Sequence, residues 1–101
     1  MKKSCLILYL SPAERDLKDL FDYICRDSPS RATQFLDKID RTISRLSRFP
    51  LSGVIPRDKL LQRKGYRVLV VVDYLIFYRF EKKSVVIYRI LHGKRRYEFL
   101  L

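Results

Sequence analysis

Apolar residues recur at two different periods along the chain, and these periods separate a helical half from a strand half. Between residues 12 and 49 they recur at intervals of three and four, which is the spacing of one helix face. From residue 66 onward the apolar residues are dense and rich in Val, Ile and Tyr, which is typical of strands. These periods predict one strand, then two helices, then three strands.

The first strand and the first helix are marked by short sequence signals. Residues 5–10 form an apolar run, which predicts a strand buried on both faces or lying at the edge of a covered sheet. Ser11 can cap free N–H groups, Pro12 suits the first helical position, and Glu14 completes a capping box. The first helix is therefore predicted over residues 12–26.

A second helix follows a short break at residues 26–29. Ser28 can cap this helix and Pro29 can begin it. The helix is expected to end near Phe49, where Pro50 stops it. Each helix has one apolar stripe and one charged face, so the two are predicted to pack on a core as a helical hairpin.

The strand half begins after a loop predicted over residues 51–64, which holds a brief strand at residues 58–62. Three further strands, separated by tight turns, are predicted at residues 66–72, 74–80 and 85–92. Turns this short impose antiparallel pairing. The continuous apolar run 68–72 predicts that its strand is covered on both faces at the centre of the sheet.

Together these elements predict one domain over residues 1–101, of the α+β class and in the order β-α-α-β-β-β. The helical hairpin is expected to pack on one face of a small, mainly antiparallel sheet and to leave the other face partly open. The tail at residues 94–101 is expected to fold back and to place Phe99, Leu100 and Leu101 on the core.

The distribution of charge adds a functional expectation to this fold. The chain carries 22 Lys and Arg against 11 Asp and Glu, a net charge of +11. Residues 57–101 carry +8 of that excess, whereas residues 1–56 carry +3. Such a surface favours an acidic protein, nucleic acid or an anionic membrane as the partner. A basic surface that only confers solubility is the alternative.

Several other chemistries are not expected. Cys5 and Cys25 lie in apolar surroundings without CxxC or Cys/His spacing, so neither a disulfide framework nor a zinc site is predicted. No other metal and no cofactor is expected, because the sequence has no His, Cys and Asp cluster. The run at residues 5–10 is too short for a signal peptide, and no run approaches a membrane span. We therefore expect a cytoplasmic protein without a membrane partner.

Candidate functional residues are concentrated in the strand half. The basic cluster Lys94-Arg95-Arg96 is the best candidate for contact with a partner, because charge beyond the last strand can reach outward. Arg67 either pairs with a group of the fold or touches a substrate. His92 either forms a structural hydrogen bond or takes part in catalysis. The strand tyrosines either pack on the sheet or stack on nucleic-acid bases.

The order of these elements and three segments of sequence resemble the RelE/ParE superfamily of bacterial toxins from type II toxin–antitoxin modules. The segments cover residues 16–53, 65–80 and 85–101. A helix that ends in Phe-Pro before a Gly, a Tyr-x-Ile-x-Tyr strand, and a final Arg-Ile-Leu-His-Gly before basic residues are closer to the ParE branch. The resemblance covers nearly the whole chain and agrees with the predicted fold.

The two branches of this superfamily imply different activities. RelE-like members cut messenger RNA on the ribosome, whereas ParE-like members poison DNA gyrase and have no established nuclease chemistry. Cutting RNA needs proton-transfer groups and cations at the phosphate. Asp58 and Leu60 occupy the positions of two lysines of the nuclease pattern, so catalysis is not the leading expectation. The residues that would serve a nuclease are Arg67, His92, Arg95 and Tyr97.

The resemblance therefore implies a ParE-like toxin that poisons DNA gyrase and is neutralised by a cognate acidic antitoxin in a hetero-oligomer. An acidic amphipathic segment of that antitoxin is expected to fold into a basic groove between the hairpin and the open sheet. One alternative is a RelE-like endonuclease that acts on ribosome-bound mRNA, and another is an inactivated toxin that only binds. The expected target-binding residues are Arg63, Lys64, Arg67, Arg89, Lys94, Arg95 and Arg96.

Overall fold

A computed structural model describes residues 4–97, 100 and 101, and it has the predicted α+β architecture. The strands are β1 (Leu6–Tyr9), β2 (Tyr66–Val71), β3 (Tyr74–Glu81) and β4 (Ser84–His92). The helices are α1 (Ser11–Asp27), α2 (Pro29–Ser44) and α3 (Lys59–Arg63), and a 3-10 turn (Arg45–Ser47) follows α2. The helix α3 was not predicted, because residues 58–62 were assigned to a brief strand.

The four strands form one sheet in the order β1-β4-β3-β2. The pairs β2–β3 and β3–β4 are antiparallel, as their short turns predicted, and β1 runs parallel to β4. The prediction that β2 lies at the centre is wrong, because it is an edge strand and its Val70 is 62% exposed. Arg79 and Arg89 interrupt the apolar runs of β3 and β4, so the sequence does not indicate that these strands are central. In the fold, the charges of both arginines are paired.

Each face of the sheet has its own apolar cluster. The hairpin of α1 and α2 covers one face, where Phe35, Ile39 and Ile43 of α2 pack on the strands. The other face is covered by α3 and by the tail, whose Tyr97, Leu100 and Leu101 pack against a second cluster of buried residues. This cluster is formed by Leu61, Tyr66, Val68, Phe77 and Leu91. The second face is therefore less open than predicted.

Two further predictions concern the tail and the first strand. Leu100 and Leu101 pack on the second cluster, as predicted, whereas Phe99 lies outside the described residues. Strand β1 lies at the edge of the sheet and keeps Leu6 largely exposed, so only the edge-strand alternative is confirmed.

One of the two predicted helix N-caps is confirmed, and α3 has a cap that was not predicted. The Ser28 hydroxyl accepts a hydrogen bond from the Arg31 N–H at 3.3 Å, which confirms it as the cap of α2. The Asp58 carboxylate accepts from the Leu61 N–H at 3.0 Å and caps α3. The cap predicted at Ser11 is wrong, because Leu10 is the N-cap and no side chain caps α1. The Leu10 N–H is bonded to β4, so the helix begins directly at Ser11.

Candidate functional site

Arg67 and Tyr78 hold the loop that precedes α3. The buried Tyr78 hydroxyl accepts a hydrogen bond from the Gly53 N–H at 2.8 Å. The Arg67 guanidinium donates from Nη1 to the carbonyls of Leu51 and Gly53, at 3.0 Å in each case. Because one guanidinium nitrogen satisfies two loop carbonyls, Arg67 has a structural function in this fold.

Arg89 forms an ion pair with Asp16 of α1. Its Nε and Nη2 atoms donate to the two Asp16 oxygens at 2.6 and 2.7 Å, and the Ile90 N–H donates to the same carboxylate at 3.0 Å. The side chains of Arg89 and Asp16 are only 17% and 11% exposed. A β-bulge at Tyr88, whose backbone is not paired with a β3 residue, separates Ile87 from Arg89 and bends the strand. The pair joins α1 to β4 and occupies the Arg89 guanidinium.

Arg67 and Tyr97 lie on opposite faces of the sheet. Arg67 is directly opposite Tyr78 in the β2–β3 pairing and shares a face with it. The Tyr97 ring packs at 4.8 Å on Phe77, which precedes Tyr78 on β3 and therefore faces the other way. These two members of the nuclease pattern are not brought to one site.

His92 anchors the start of the tail. Its Nδ1 accepts a hydrogen bond from the Lys94 N–H at 3.1 Å, and its carbonyl accepts from the Arg95 N–H at 3.0 Å. Its ring meets the Tyr74 ring edge-on at 5.4 Å. Arg67 pairs with Tyr78 of β3, and Tyr74 lies four residues from Tyr78. This separation is about 13 Å along the strand. His92 therefore positions the basic tail rather than joining Arg67.

The remaining cations of the predicted set are exposed. Lys94, Arg95 and Arg96 lie in the turn and tail beyond β4. Arg63 ends α3, and the Lys64 Nζ donates to the Leu101 carbonyl at 3.4 Å. The structure thus brings Lys64 to the end of the tail, whereas Arg67 and Arg89 are engaged in the interior contacts described above.

A second basic surface, which the sequence did not single out, lies between α2 and β2. It forms a groove of about 340 Å³ lined by Lys38, Arg41 and Arg45 on the helical side and by Val70 and Val72 on the strand side. Within the described part of the chain, no carboxylate forms an ion pair with these three cations. Their spacing of three and four residues along α2 and into the 3-10 turn, beside the apolar stripe, is the sequence signal that could have found them. The sequence predicts a basic, partly apolar groove between the hairpin and the open sheet, whereas this groove lies between α2 and the edge strand β2.

The pKa shifts at these sites have identifiable causes. Burial raises the pKa of Tyr78, although the hydrogen bond from Gly53 and the charge of Arg67 act in the opposite direction. Hydrogen bonds to Asp16 raise the pKa of Arg89. All these shifts move the pKa away from neutrality, so none gives its group the acid–base character that general catalysis requires.

Neither a metal-binding cluster nor a membrane-spanning helix is found among the described residues. No group of three or more His, Cys, Asp or Glu side chains could hold a metal ion within residues 4–97 and 100–101. None of the helices in these same ranges combines the length and apolar character that crossing a bilayer requires.

Known proteins resemble this chain both in sequence and in fold. Toxin ParE3 from Caulobacter vibrioides is 33% identical over 89 residues, which cover 87% of this chain and 86% of that protein. A chain of the chromosomal ParDE toxin–antitoxin system from P. aeruginosa superposes with a TM-score of 0.74 at 19% identity, covering 90% of this chain and 98% of its own.

A chain of the toxin–antitoxin complex RelBE2 from Mycobacterium tuberculosis superposes with a TM-score of 0.61 at 25% identity. That match covers 88% of this chain and 98% of the other. The sequence model of the family described as the ParE toxin of the type II toxin–antitoxin system parDE matches residues 7–97. This chain therefore belongs to the ParE toxin family of the RelE/ParE superfamily.

Proposed function

We propose that this toxin inhibits growth by poisoning DNA gyrase in the cytoplasm and that a cognate acidic antitoxin neutralises it. The match of the ParE family model to residues 7–97 is the observation that carries this proposal. The positions of the side chains support it, since Arg67 and Tyr97, two of the groups that would serve an mRNA endonuclease, are not brought together. Arg67 holds a loop, and Tyr97 packs on the opposite face of the sheet.

An assay with purified gyrase and with programmed ribosomes tests this proposal. The toxin is expected to inhibit supercoiling and to trap gyrase on cleaved DNA, and it is expected to leave ribosome-bound mRNA intact. Cells that express it without antitoxin should form filaments and induce the DNA-damage response. Cleavage of mRNA on the ribosome, with normal supercoiling, would instead support the endonuclease alternative.

The antitoxin is proposed to bind in the groove between α2 and β2. The groove has unpaired cations on one side and the exposed apolar side chains of Val70 and Val72 on the other. An acidic amphipathic segment matches both sides, and electrostatic attraction should speed its association with a chain of net charge +11.

Charge reversal in this groove is expected to weaken antitoxin binding. The double variant Arg41→Glu/Arg45→Glu should lower the affinity for the antitoxin encoded beside this toxin by on the order of tenfold or more, mainly through slower association. The matched control Arg15→Glu/Arg26→Glu makes the same charge change on exposed positions of α1. Equal loss of affinity in both variants would mean that net charge, and not the groove, determines binding.

A further inference from the structure

The segment of residues 51–60 exposes four large aliphatic side chains. Each of these side chains is between 55% and 65% exposed, and they belong to Leu51, Val54, Ile55 and Leu60. Large apolar side chains grouped in this way mark interaction surfaces more often than isolated exposed residues do. The segment precedes β2 and belongs neither to the groove described above nor to the basic tail.

The backbone of this segment is held at several points. The Tyr78 hydroxyl and the Arg67 guanidinium bind the backbone at Gly53, and Arg67 also binds the Leu51 carbonyl. Val54 and Val68 exchange two backbone hydrogen bonds of 2.8 Å. A rigid segment loses little conformational entropy when a partner binds. The Tyr78 hydroxyl and the Arg67 guanidinium therefore fix the backbone that carries the exposed aliphatic side chains.

The surroundings of the exposed side chains are basic. Four exposed cations lie within residues 57–64, and these are Arg57, Lys59, Arg63 and Lys64. The single carboxylate among residues 51–64, Asp58, accepts the Leu61 N–H as the cap of α3. An apolar surface flanked by cations is complementary to an apolar cleft with an acidic rim.

We propose that residues 51–60 form the surface through which the toxin docks on an acidic, cleft-bearing face of its target protein. This inference rests on the proposed function, and it specifies contact with the gyrase protein rather than with the DNA that gyrase holds. Aliphatic side chains offer no hydrogen bonds to phosphates, and the segment contains no aromatic ring on which a base could stack. Burial in a protein cleft is the interaction that these side chains favour.

Inhibition of gyrase supercoiling by paired variants tests the inference. Leu51→Ser/Ile55→Ser should raise the toxin concentration for half-inhibition by on the order of tenfold or more, because it removes two exposed anchors. The matched control Leu6→Ser/Leu8→Ser removes aliphatic groups that are 68% and 48% exposed on β1, and should inhibit like the wild type. Circular dichroism and urea midpoints verify that each variant is folded.

A charge variant separates a protein contact from a polyanion contact. Arg57→Ser/Lys59→Ser should weaken inhibition by only about twofold to fivefold, with the difference shrinking as salt is added. If this variant abolishes inhibition while Leu51→Ser/Ile55→Ser inhibits normally, the segment contacts nucleic acid and the inference is overturned. Normal inhibition by both variants overturns it as well, and leaves the proposed gyrase target standing.

If the wild-type toxin does not affect gyrase, the same variants are compared by how strongly they inhibit growth. The proposed function then fails, but selective loss of growth inhibition in Leu51→Ser/Ile55→Ser still supports the docking surface, with a different protein as target. Growth inhibition that this variant retains in full overturns the docking surface. A wild-type chain that affects neither gyrase nor growth overturns both proposals.

Discussion

Tyr78 and Gly53 show how one close contact joins the sheet to the loop before α3. A Cβ atom added to Gly53 would lie 2.5 Å from the Tyr78 hydroxyl oxygen and 2.6 Å from a ring carbon. The ring is fully buried on β3, so it has no space to move aside. A side chain at residue 53 and this tyrosine are therefore mutually exclusive.

Gly53→Ala is accordingly expected to destabilise the fold by about 1–3 kcal/mol, because it overpacks a rigid contact and displaces a hydrogen bond to a buried hydroxyl. Urea unfolding measures the free energy of unfolding. The neighbouring change Ser52→Ala, at an exposed position, should lie within about 0.5 kcal/mol of the wild type. A stable Gly53→Ala variant would show that the loop can reposition freely.

Arg67 and Arg89 illustrate what residue type alone leaves undecided. Both were predicted to contact a target, and their assignment to target binding remains a prediction. The structure places their guanidinium groups against the Leu51 and Gly53 carbonyls and against Asp16. The Arg89 pair joins positions 73 residues apart, a separation at which no local sequence pattern indicates a contact.

At the scale of elements, α3 differs from the prediction and the β2–β3 turn contains an unfavourable backbone conformation, each for a local reason. Lys59–Arg63 is too short for its periodicity to distinguish a helix from a strand. Its cap, Asp58, is a better guide, since a carboxylate three residues before Leu61 satisfies a free N–H. In the β2–β3 turn, Val72 has a φ of 55°, which β-branched residues seldom adopt.

Val72→Asn is therefore expected to stabilise the fold by about 1 kcal/mol, because asparagine tolerates the left-handed conformation that strains valine. Val72 is exposed, so little packing is lost. Thermal or urea unfolding measures the gain. Val70→Asn changes a similarly exposed valine in regular strand conformation and should be neutral or destabilising. Equal effects of both substitutions would argue against strain at residue 72.

At the scale of the whole molecule, the exposed cations fall into three groups. The groove between α2 and β2 lies on one side of the hairpin, and the tail cations follow β4. The rigid segment of residues 51–60 combines apolar side chains with a third group of cations. The groove lining and the segment of residues 51–60 share no residue, but they are neighbours, because Val54 pairs with Val68 of β2.

Alkaline pH is expected to destabilise the folded chain. Burial raises the pKa of several tyrosines, which are Tyr9, Tyr66, Tyr74, Tyr78 and Tyr88. Near pH 10 the unfolded chain loses tyrosine protons before the folded chain does, so it binds fewer protons and stability falls as pH rises. The contribution of these groups is fully present below about pH 10.

Urea unfolding between about pH 8 and pH 11, together with tyrosinate absorbance, measures this loss. Each tyrosine that stays neutral only when folded should contribute a decline of about 1.4 kcal/mol per pH unit. Repeating the series at high salt controls for lysine deprotonation, because salt screens charge repulsion but does not alter burial. A free energy of unfolding that stays constant up to about pH 11 would contradict the raised tyrosine pKa values.

Local signals in the sequence were sufficient to predict the types and order of most elements, the helical hairpin and the charge imbalance between the two halves. Periodicity, caps and turn lengths are local properties, and they are present before any contact forms. Only the tertiary structure decided that β2 lies at the edge, that Arg89 pairs with Asp16 and that Arg67 holds the loop. These outcomes depend on which distant groups packing brings together, and the spacing of residues along the chain does not encode that choice.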